Sequence, residues 1–359
     1  TNIRFRLGTA VDIDFDRQRV HLEDGDDLTY DHLVVAAGTA PQYYGIPGAR
    51  EHTFALKSLA DATNLRSHVL RQFERAARRP ERIDDGALTF VVVGGGPTGI
   101  EMAGALVELF DRVLDRDFPE IDASEARVVL VEMADRVLLP YDEALQAYAL
   151  DTLRDRGVEV RLRAAVERVT GEAVHLQGGE ALPARTLIWA AGVQAHSLAS
   201  AIPAPQSRSR RVTVRPGLRV PGYDTAYVIG DMAAATDEDG DLLPQLAPVA
   251  VQQGRHVADQ IRRVVQGESV EPFRYDDPGI MATIGRNAAV VQSPGGWKLT
   301  GWPAWVAWTV LHIWKLIGFR NRLAVMLDWV YSYFTHDRSA RLIFEAAPDD
   351  TPVSSSQPV

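Results

Sequence analysis

The chain has 359 residues, 46% of them hydrophobic, a formal net charge of −10 and no cysteine. The length sets two domains as the starting expectation, the composition supports a real core, and the acidic balance without a long basic run argues against nucleic acid as a partner. Zero cysteine removes disulfides, iron–sulfur clusters, thiolate zinc sites and CxxC redox pairs together, so any redox chemistry must be run by an organic cofactor.

In chain order, residues 3–8, 10–15, 18–22 and 32–36 read as short strands, with Gly25 and the acids around it turning the chain between the third and fourth. A helix is expected over 58–78, then a charged linker to Gly86, a strand over 88–93, a helix over 98–114 and a strand over 127–132. An acidic, helical insertion (111–125) separates the last two. Another helix fills 141–156 and stops at Gly157, and three short strands with the run 186–190 complete this unit. Past a Pro- and Arg-bearing stretch (202–219), residues 226–229 read as a buried strand ending at Gly230-Asp231. A helix over 248–265 and strands near 280–292 follow. No signal peptide is visible.

One pattern occurs twice: VDIDFDRQRVHLEDGDDLTYDHLVVAAG at 11–38 and VERVTGEAVHLQGGEALPARTLIWAAG at 166–192. A glycine loop, its helix and an acid-ended strand (90–132) precede the second copy. Only ten residues precede the first, none of them a glycine loop, and the chain starts with Thr1. An N-terminal nucleotide-binding βαβ unit of at least ~30 residues is therefore expected to be absent from this chain.

The loop Gly94-Gly95-Gly96-Pro97-Thr98-Gly99 carries glycines at 94, 96 and 99 between an apolar strand and a helix. That context fits a dinucleotide turn, where glycines let backbone N–H groups and a helix N-terminus approach a pyrophosphate. Glu132 ends the next strand, where a carboxylate would accept from the adenosine ribose hydroxyls and repel a 2′-phosphate, favouring NADH over NADPH. A merely solvated strand end is the plainer reading of Glu132. Gly230-Asp231 at the end of a buried strand suits contact with a polyol or ribose, and equally suits a helix N-cap before residues 232–235. The run from Ala247 through Pro248, Gln252 and Gln253 opens a helix aimed at the same place, with two neutral amides able to hydrogen-bond a heterocycle.

These segments resemble the two-dinucleotide-binding-domain flavoproteins, specifically the type II NADH:quinone oxidoreductases. The residues carrying the resemblance are VVVGGGPTGIEMAGAL (91–106), LIWAAGVQA (187–195), YVIGDMAAA (227–235), LAPVAVQQGRHVA (246–258), MATIGRNAAVV (281–291) and GFRNRL (318–323). The resemblance implies an α/β fold of two Rossmann-like domains, the first split and N-terminally truncated, with FAD in the first and NADH at the fingerprint. It implies transfer of a hydride from NADH to FAD and of two electrons to a quinone in the respiratory chain, without proton pumping. By position, Ala37 and Gly38 resemble the turn passing the flavin nucleotide. Asp231 resembles the acid that binds the flavin ribityl chain, and Gln252 and Gln253 the glutamines lining the quinone side of the flavin ring; Gly230 and Ala247 are further candidate cofactor contacts. Ala191 and Gly192 resemble the small turn where nicotinamide and flavin stack. Glu101 resembles a carboxylate assisting proton delivery to quinone; its plainer reading is an acid near a helix N-terminus stabilised by the macrodipole. Pro248 departs from the glutamine of many members, which puts a direct bond to quinone from that position in doubt.

Residues 297–343 hold six of the seven tryptophans. The apolar run 304–317 would span only ~21 Å as a helix, short of a ~30 Å hydrocarbon core. Two helices lying in the membrane interface are expected instead, with Lys315 and Arg322 against anionic lipid; a buried subdomain or homodimer contact is the alternative. The expected division is 1–84 and 196–295 for the FAD domain, 85–195 for NADH, 296–345 for the membrane helices and 346–359 as a disordered tail. No metal site is expected. The expected location is the cytoplasmic face of the cell membrane, peripherally bound. The competing readings are a truncated, non-catalytic NADH-binding membrane-associated protein and a ferredoxin-type flavoprotein reductase.

Overall fold

A computed structural model describes residues 2–110, 118–122, 125–335 and 343. The chain forms two compact units, Thr1–Gln42 with Val193–Pro278, and Tyr43–Gly192 with Gly279–Val359. Both are mixed α/β, as the sequence indicates, and the chain passes between them at 42/43, 192/193 and 278/279. The helix Leu59–Arg78 buries Leu65, Val69 and Phe73 in the same core as Phe90 and Ile100. The strands Ile280–Thr283 and Ala289–Gln292 add Ala282 and Val290 to that core. Both segments therefore belong to the fingerprint unit.

The larger unit is built on a parallel sheet in the order Thr186–Trp189, Thr89–Val93, Arg127–Val131, Glu159–Arg161. Every residue of Thr89–Val93 is buried, as its uninterrupted apolar run requires of a central parallel strand. Phe90 and Phe110 meet at 4.6 Å and Phe73 and Phe110 at 5.3 Å, which packs the helices onto one sheet face. The helix Leu59–Arg78 starts with a capping box, the Ser58 side chain accepting from Asp61 N–H at 3.0 Å and the Asp61 carboxylate from Ser58 N–H at 2.8 Å. Gly157, at φ +85°, follows the helix Glu143–Asp155 where the sequence places its stop.

The repeat is structural. In each copy three antiparallel strands precede one parallel strand: 10–29 before Leu33–Val35 in the smaller unit, 166–183 before Thr186–Trp189 in the larger. Gly25, at φ +87°, turns Arg19–Leu22 into a further strand, Asp27–Thr29, which its polar, exposed residues had hidden. The expected strand 3–8 does not form: Ile3, Phe5 and Leu7 stand exposed and residues 2–9 join no ladder among the described residues. Four strands, not three, lie between Gly157 and Thr186 if Glu159–Arg161 is counted. Lys298–Thr300 adds an unexpected third strand to the 280–292 hairpin. The fingerprint helix is described over Pro97–Leu109, and the insertion beyond it falls largely outside the described residues, as does the tail 346–359.

Candidate active site

The parallel strands of the larger unit deliver three segments to one edge of their sheet: Gly94–Gly99, Glu132 and Ala190–Gly192. The fingerprint glycines differ in what demands them. A Cβ on Gly94 (φ +112°) would lie 2.5 Å from Ala190 O, and one on Gly99 would lie 1.8 Å from Gly94 O, so packing forbids a side chain at both. Gly96 has an ordinary φ of −75°, and a Cβ there meets nothing within 4 Å. It is the N-cap of Pro97–Leu109, no side chain caps that helix, and Pro97 carries no N–H. The open mouth and the first-turn donors of Thr98 and Gly99 fit a pyrophosphate.

Glu132 is part of this loop rather than a solvated strand end. Its Oε2 accepts from Gly95 N–H at 2.5 Å and its Oε1 from Ala134 N–H at 2.7 Å, leaving a lone pair on each oxygen for ribose hydroxyls. Beside it, Gly192 sits at φ +143°, and a Cβ would come 2.5 Å from Tyr44 Oη, which donates to Ala191 O at 3.3 Å. Tyr44 was not singled out from the sequence; only its place just after the first repeat could have suggested it.

Glu101 lies beyond the first turn of the fingerprint helix, which contains no acid, so the macrodipole reading does not account for it. Its Oε1 accepts from Thr283 N–H at 3.2 Å and more weakly from Thr283 Oγ1 at 3.5 Å. Burial pushes the Glu101 carboxyl above the usual carboxylate range, and the bonds from Thr283 oppose that rise. Glu101 lines a cavity of about 830 Å³ together with Thr283, Arg286, Trp302, Trp305 and Trp308. The helices Gly301–Lys315 and Phe319–Thr335 close it, and neither is long and apolar enough to cross a membrane. Among the described residues they leave Trp302, Val310, Trp314, Ile317, Phe319, Met326 and Leu327 exposed.

The smaller unit gathers the remaining candidates. Leu33–Val35 and Ala226–Val228 pair in parallel, and Ile229 N–H bonds Val35 O at 3.1 Å, so Ala37-Gly38 and Gly230-Asp231 leave adjacent strand ends. Gly38 and Gly230 take φ values of +70° and +68°. Asp231 is not a helix N-cap: Gly230–Met232 is a single 3₁₀ turn capped by Ile229, and the strand Ala233–Ala234 follows. The buried guanidinium of Arg211, bonded twice to Ala233 O, is held below its ordinary pKa by desolvation, which the Asp231 carboxylate opposes. Ala247 begins the helix Ala247–Val265, whose N-cap Leu246 supplies no capping side chain, and Pro248 sits in its first turn, where proline is tolerated.

The two glutamines separate. Gln253 is fully buried; its Oε1 accepts from Gly230 N–H at 2.6 Å and its Nε2 has no partner among the described residues. Thr39 Oγ1, next to Gly38, is likewise buried without a partner. Orphaned polar atoms beside two left-handed glycine turns fit a polar ligand such as a flavin nucleotide. Gln252 instead exchanges two bonds with the Asp276 backbone, at 2.7 and 2.9 Å, so its amide is largely committed to the fold.

Comparison with known proteins matches this arrangement. The family model described as pyridine nucleotide-disulphide oxidoreductase matches residues 1–254, and that described as NDH2 C-terminal domain matches 278–336. A Mycobacterium tuberculosis type II NADH:quinone oxidoreductase, Ndh, is 37% identical over 354 residues, covering 94% of this chain and 75% of its own. The chain belongs to the type II NADH:quinone oxidoreductases. A Staphylococcus aureus member is 33% identical over 80% of this chain and 71% of its own. The fold matches that of NDH2 from Plasmodium falciparum, in a structure described as a complex with NADH, with a TM-score of 0.85 at 17% identity, covering 94% of this chain and 85% of that one. A Bacillus anthracis CoADR-RHD structure matches with a TM-score of 0.60 at 23% identity over 80% of this chain and 47% of its own.

Proposed function

We propose that this chain is a membrane-associated NADH:quinone oxidoreductase that uses FAD, binds NADH at Gly94–Gly99 and Glu132, and reduces a quinone reached through the tail helices. The observation that carries this reading is the cavity joining Glu101 of the fingerprint helix to the Trp-rich helices. A reductase serving a soluble ferredoxin has no use for that arrangement. FAD, when bound, supplies the two-electron carrier between NADH and quinone.

The chain's own residues bind, orient and protonate. Thr98 and Gly99 N–H groups would meet the NADH pyrophosphate, Glu132 its ribose, and Ala191-Gly192 would let the nicotinamide ring approach. Ala37, Gly38, Gly230, Asp231, Ala247 and the free Nε2 of Gln253 would hold the flavin, and Gln252 has one Nε2 hydrogen left to offer on the quinone side. Quinone reduction consumes two protons. With Oε1 of Glu101 accepting from Thr283, a relayed proton would be carried on Oε2, and burial favours the protonated form more than on an exposed carboxylate.

The exposed aromatic and aliphatic face of the tail supports lipid contact through 297–343, with Lys315 and Arg322 as cationic anchors. The cytoplasmic face of the cell membrane is the site that suits an NADH oxidase, and a homodimer is compatible with this face. The deciding experiment measures NADH oxidation by flavin-loaded protein in vesicles, with a long-tailed quinone and with ferricyanide. Turnover with both supports the reading. Ferricyanide reduction with no quinone turnover overturns it, and a colourless protein that still binds NADH points to a non-catalytic binder.

A further inference from the structure

Arg286 lies in the turn between Ile280–Thr283 and Ala289–Gln292 and joins three elements. Its Nε is 3.2 Å from Oε1 of Glu108, which lies two helical turns beyond Glu101 on the fingerprint helix. Its backbone N–H donates to Glu108 Oε2 at 3.1 Å. Its Nη1 donates to Tyr333 O, in the last turn of Phe319–Thr335, at 3.2 Å, and the guanidinium lies 5.1 Å from the Tyr333 ring centroid. The two charged side chains are only 10% and 11% exposed. Close backbone approach holds the turn in place: a Cβ on Gly104 would fall 2.6 Å from Gly285 N.

A buried ion pair is expensive unless its geometry does something that a hydrophobic pair would not. Here it puts a cation on a carbonyl at the negative end of a helix. At its start that helix is tied to its neighbour by Arg322, which donates to Leu316 O at 2.8 Å and lies over the Trp314 ring. Further along it meets its neighbour through aromatic pairs, Trp308 with Trp329 at 6.1 Å and Trp305 with Tyr333 at 5.8 Å. Its other face is exposed and apolar. All four paired aromatic residues line the cavity that contains Glu101.

We propose that Arg286 is a positioning residue for quinone reduction: braced by Glu108, it clamps the carboxyl end of the second tail helix and so fixes the cavity wall across from Glu101. This rests on the reading of that cavity as the quinone site. The clamp keeps the aromatic wall at one spacing while the helix's outer face is pulled by lipid.

The test uses the flavin-loaded full chain in vesicles and four variants. R286M removes the clamp and takes the guanidinium away from the buried Glu108 carboxylate, so it can fail through misfolding alone. The double variant E108Q/R286M removes that buried charge and leaves a neutral pair of similar shape. The expected result for the double variant is a quinone KM raised about tenfold, the equivalent of ~1.4 kcal/mol, with kcat at saturating quinone within a factor of about two. The quinone concentration that half-quenches tryptophan fluorescence should rise by a similar factor, a readout independent of turnover. R286K, which keeps the charge but not the fork, is expected to fall between wild type and the double variant. An unchanged KM and quenching curve in a folded E108Q/R286M overturns the proposal. A105W, which fills the same cavity from the fingerprint helix, tests the underlying reading. If A105W leaves quinone reduction intact, the cavity is not the quinone site. If A105W blocks it and E108Q/R286M does not, the cavity stands and the clamp falls.

Discussion

Gly96→Ala separates a glycine required by a ligand from one required by packing. At φ −75° and ψ −180° alanine is unstrained, and the new Cβ meets no atom within 4 Å. Alanine is a poorer N-cap than glycine but loses less entropy on folding, and these terms of roughly 0.5–1 kcal/mol oppose each other. The net change in stability is expected within about 1 kcal/mol, or about 2–4 °C in Tm for a unit of this size. The same methyl stands in the helix mouth where a pyrophosphate would approach Thr98 and Gly99. Losing one or two hydrogen bonds to a charged group, at about 1.5–3 kcal/mol each, weakens NADH binding by roughly one to four orders of magnitude. Gly99→Ala is the control: its Cβ would lie 1.8 Å from Gly94 O, so the loop must open and the protein must lose stability. Calorimetric titration with NADH and thermal melts of both variants give the comparison. A wild-type NADH Kd in G96A, or a Tm loss in G96A as large as in G99A, would refute the reasoning.

Glu101→Gln is expected to slow quinone reduction most at neutral and higher pH, while reduction of bound flavin by NADH continues; an identical pH profile removes Glu101 as a proton relay. A carboxyl raised in the fold contributes stability that is lost as pH climbs from its unfolded value of 4.5 through the raised one, so E101Q should melt higher than wild type at neutral pH and match it near the unfolded value. Glu132→Gln keeps a bond to the loop but loses the charge that repels a 2′-phosphate. Its NADH-to-NADPH preference should fall about tenfold, and an unchanged ratio of kcat/KM values removes Glu132 from cofactor selection. Gln253→Ala strands Gly230 N–H at about 1–3 kcal/mol and should lower flavin content per chain; full flavin occupancy would count against Gln253 as a flavin contact. Replacing Trp314, Ile317 and Phe319, which are 69%, 88% and 79% exposed, with serine should cut vesicle binding by about two orders of magnitude or more, at roughly 1.5–3 kcal/mol for each buried side chain. Unchanged flotation with liposomes would remove this face from lipid contact.

What the sequence made legible was local. The run Phe90–Val93, the glycines after it, the Ser58/Asp61 box and the stop at Gly157 each announce themselves within a few residues, because caps, turns and apolar runs are short-range physics. The strand Asp27–Thr29 was illegible because pairing, not propensity, makes it a strand. Residues 3–8 show the opposite case, a strand pattern with nothing to pair against among the described residues. The Glu108–Arg286 pair was beyond reach for another reason. Its partners are 178 residues apart, and no spacing rule links an arginine in a turn to the twelfth residue of a helix opened long before. The same limit hid Tyr44 and Thr283, each of which reaches the site from a distant segment. Gln252 and Gln253 are neighbours in sequence and face different fates, since one helical step of about 100° turns one toward Gly230 and the other toward Asp276.

The repeat carries that lesson into function. Both copies end in the same three residues, Ala-Ala-Gly, after a parallel strand. Gly38 closes the first at φ +70°, and a Cβ there meets nothing within 4 Å; only the backbone angle asks for glycine. Gly192 closes the second at φ +143°, an angle that side-chain-bearing residues rarely adopt, with the exposed Tyr44 Oη 2.5 Å from where a Cβ would stand, so the angle demands glycine and the tyrosine would have to swing away. An asparagine, which tolerates left-handed angles, is therefore admissible at 38 on backbone grounds and not at 192. If Asn at 38 expels flavin from a chain that still folds, the space beside Gly38 is reserved for a ligand. The same sequence word thus marks two different demands, which the backbone angle at each copy's last residue tells apart.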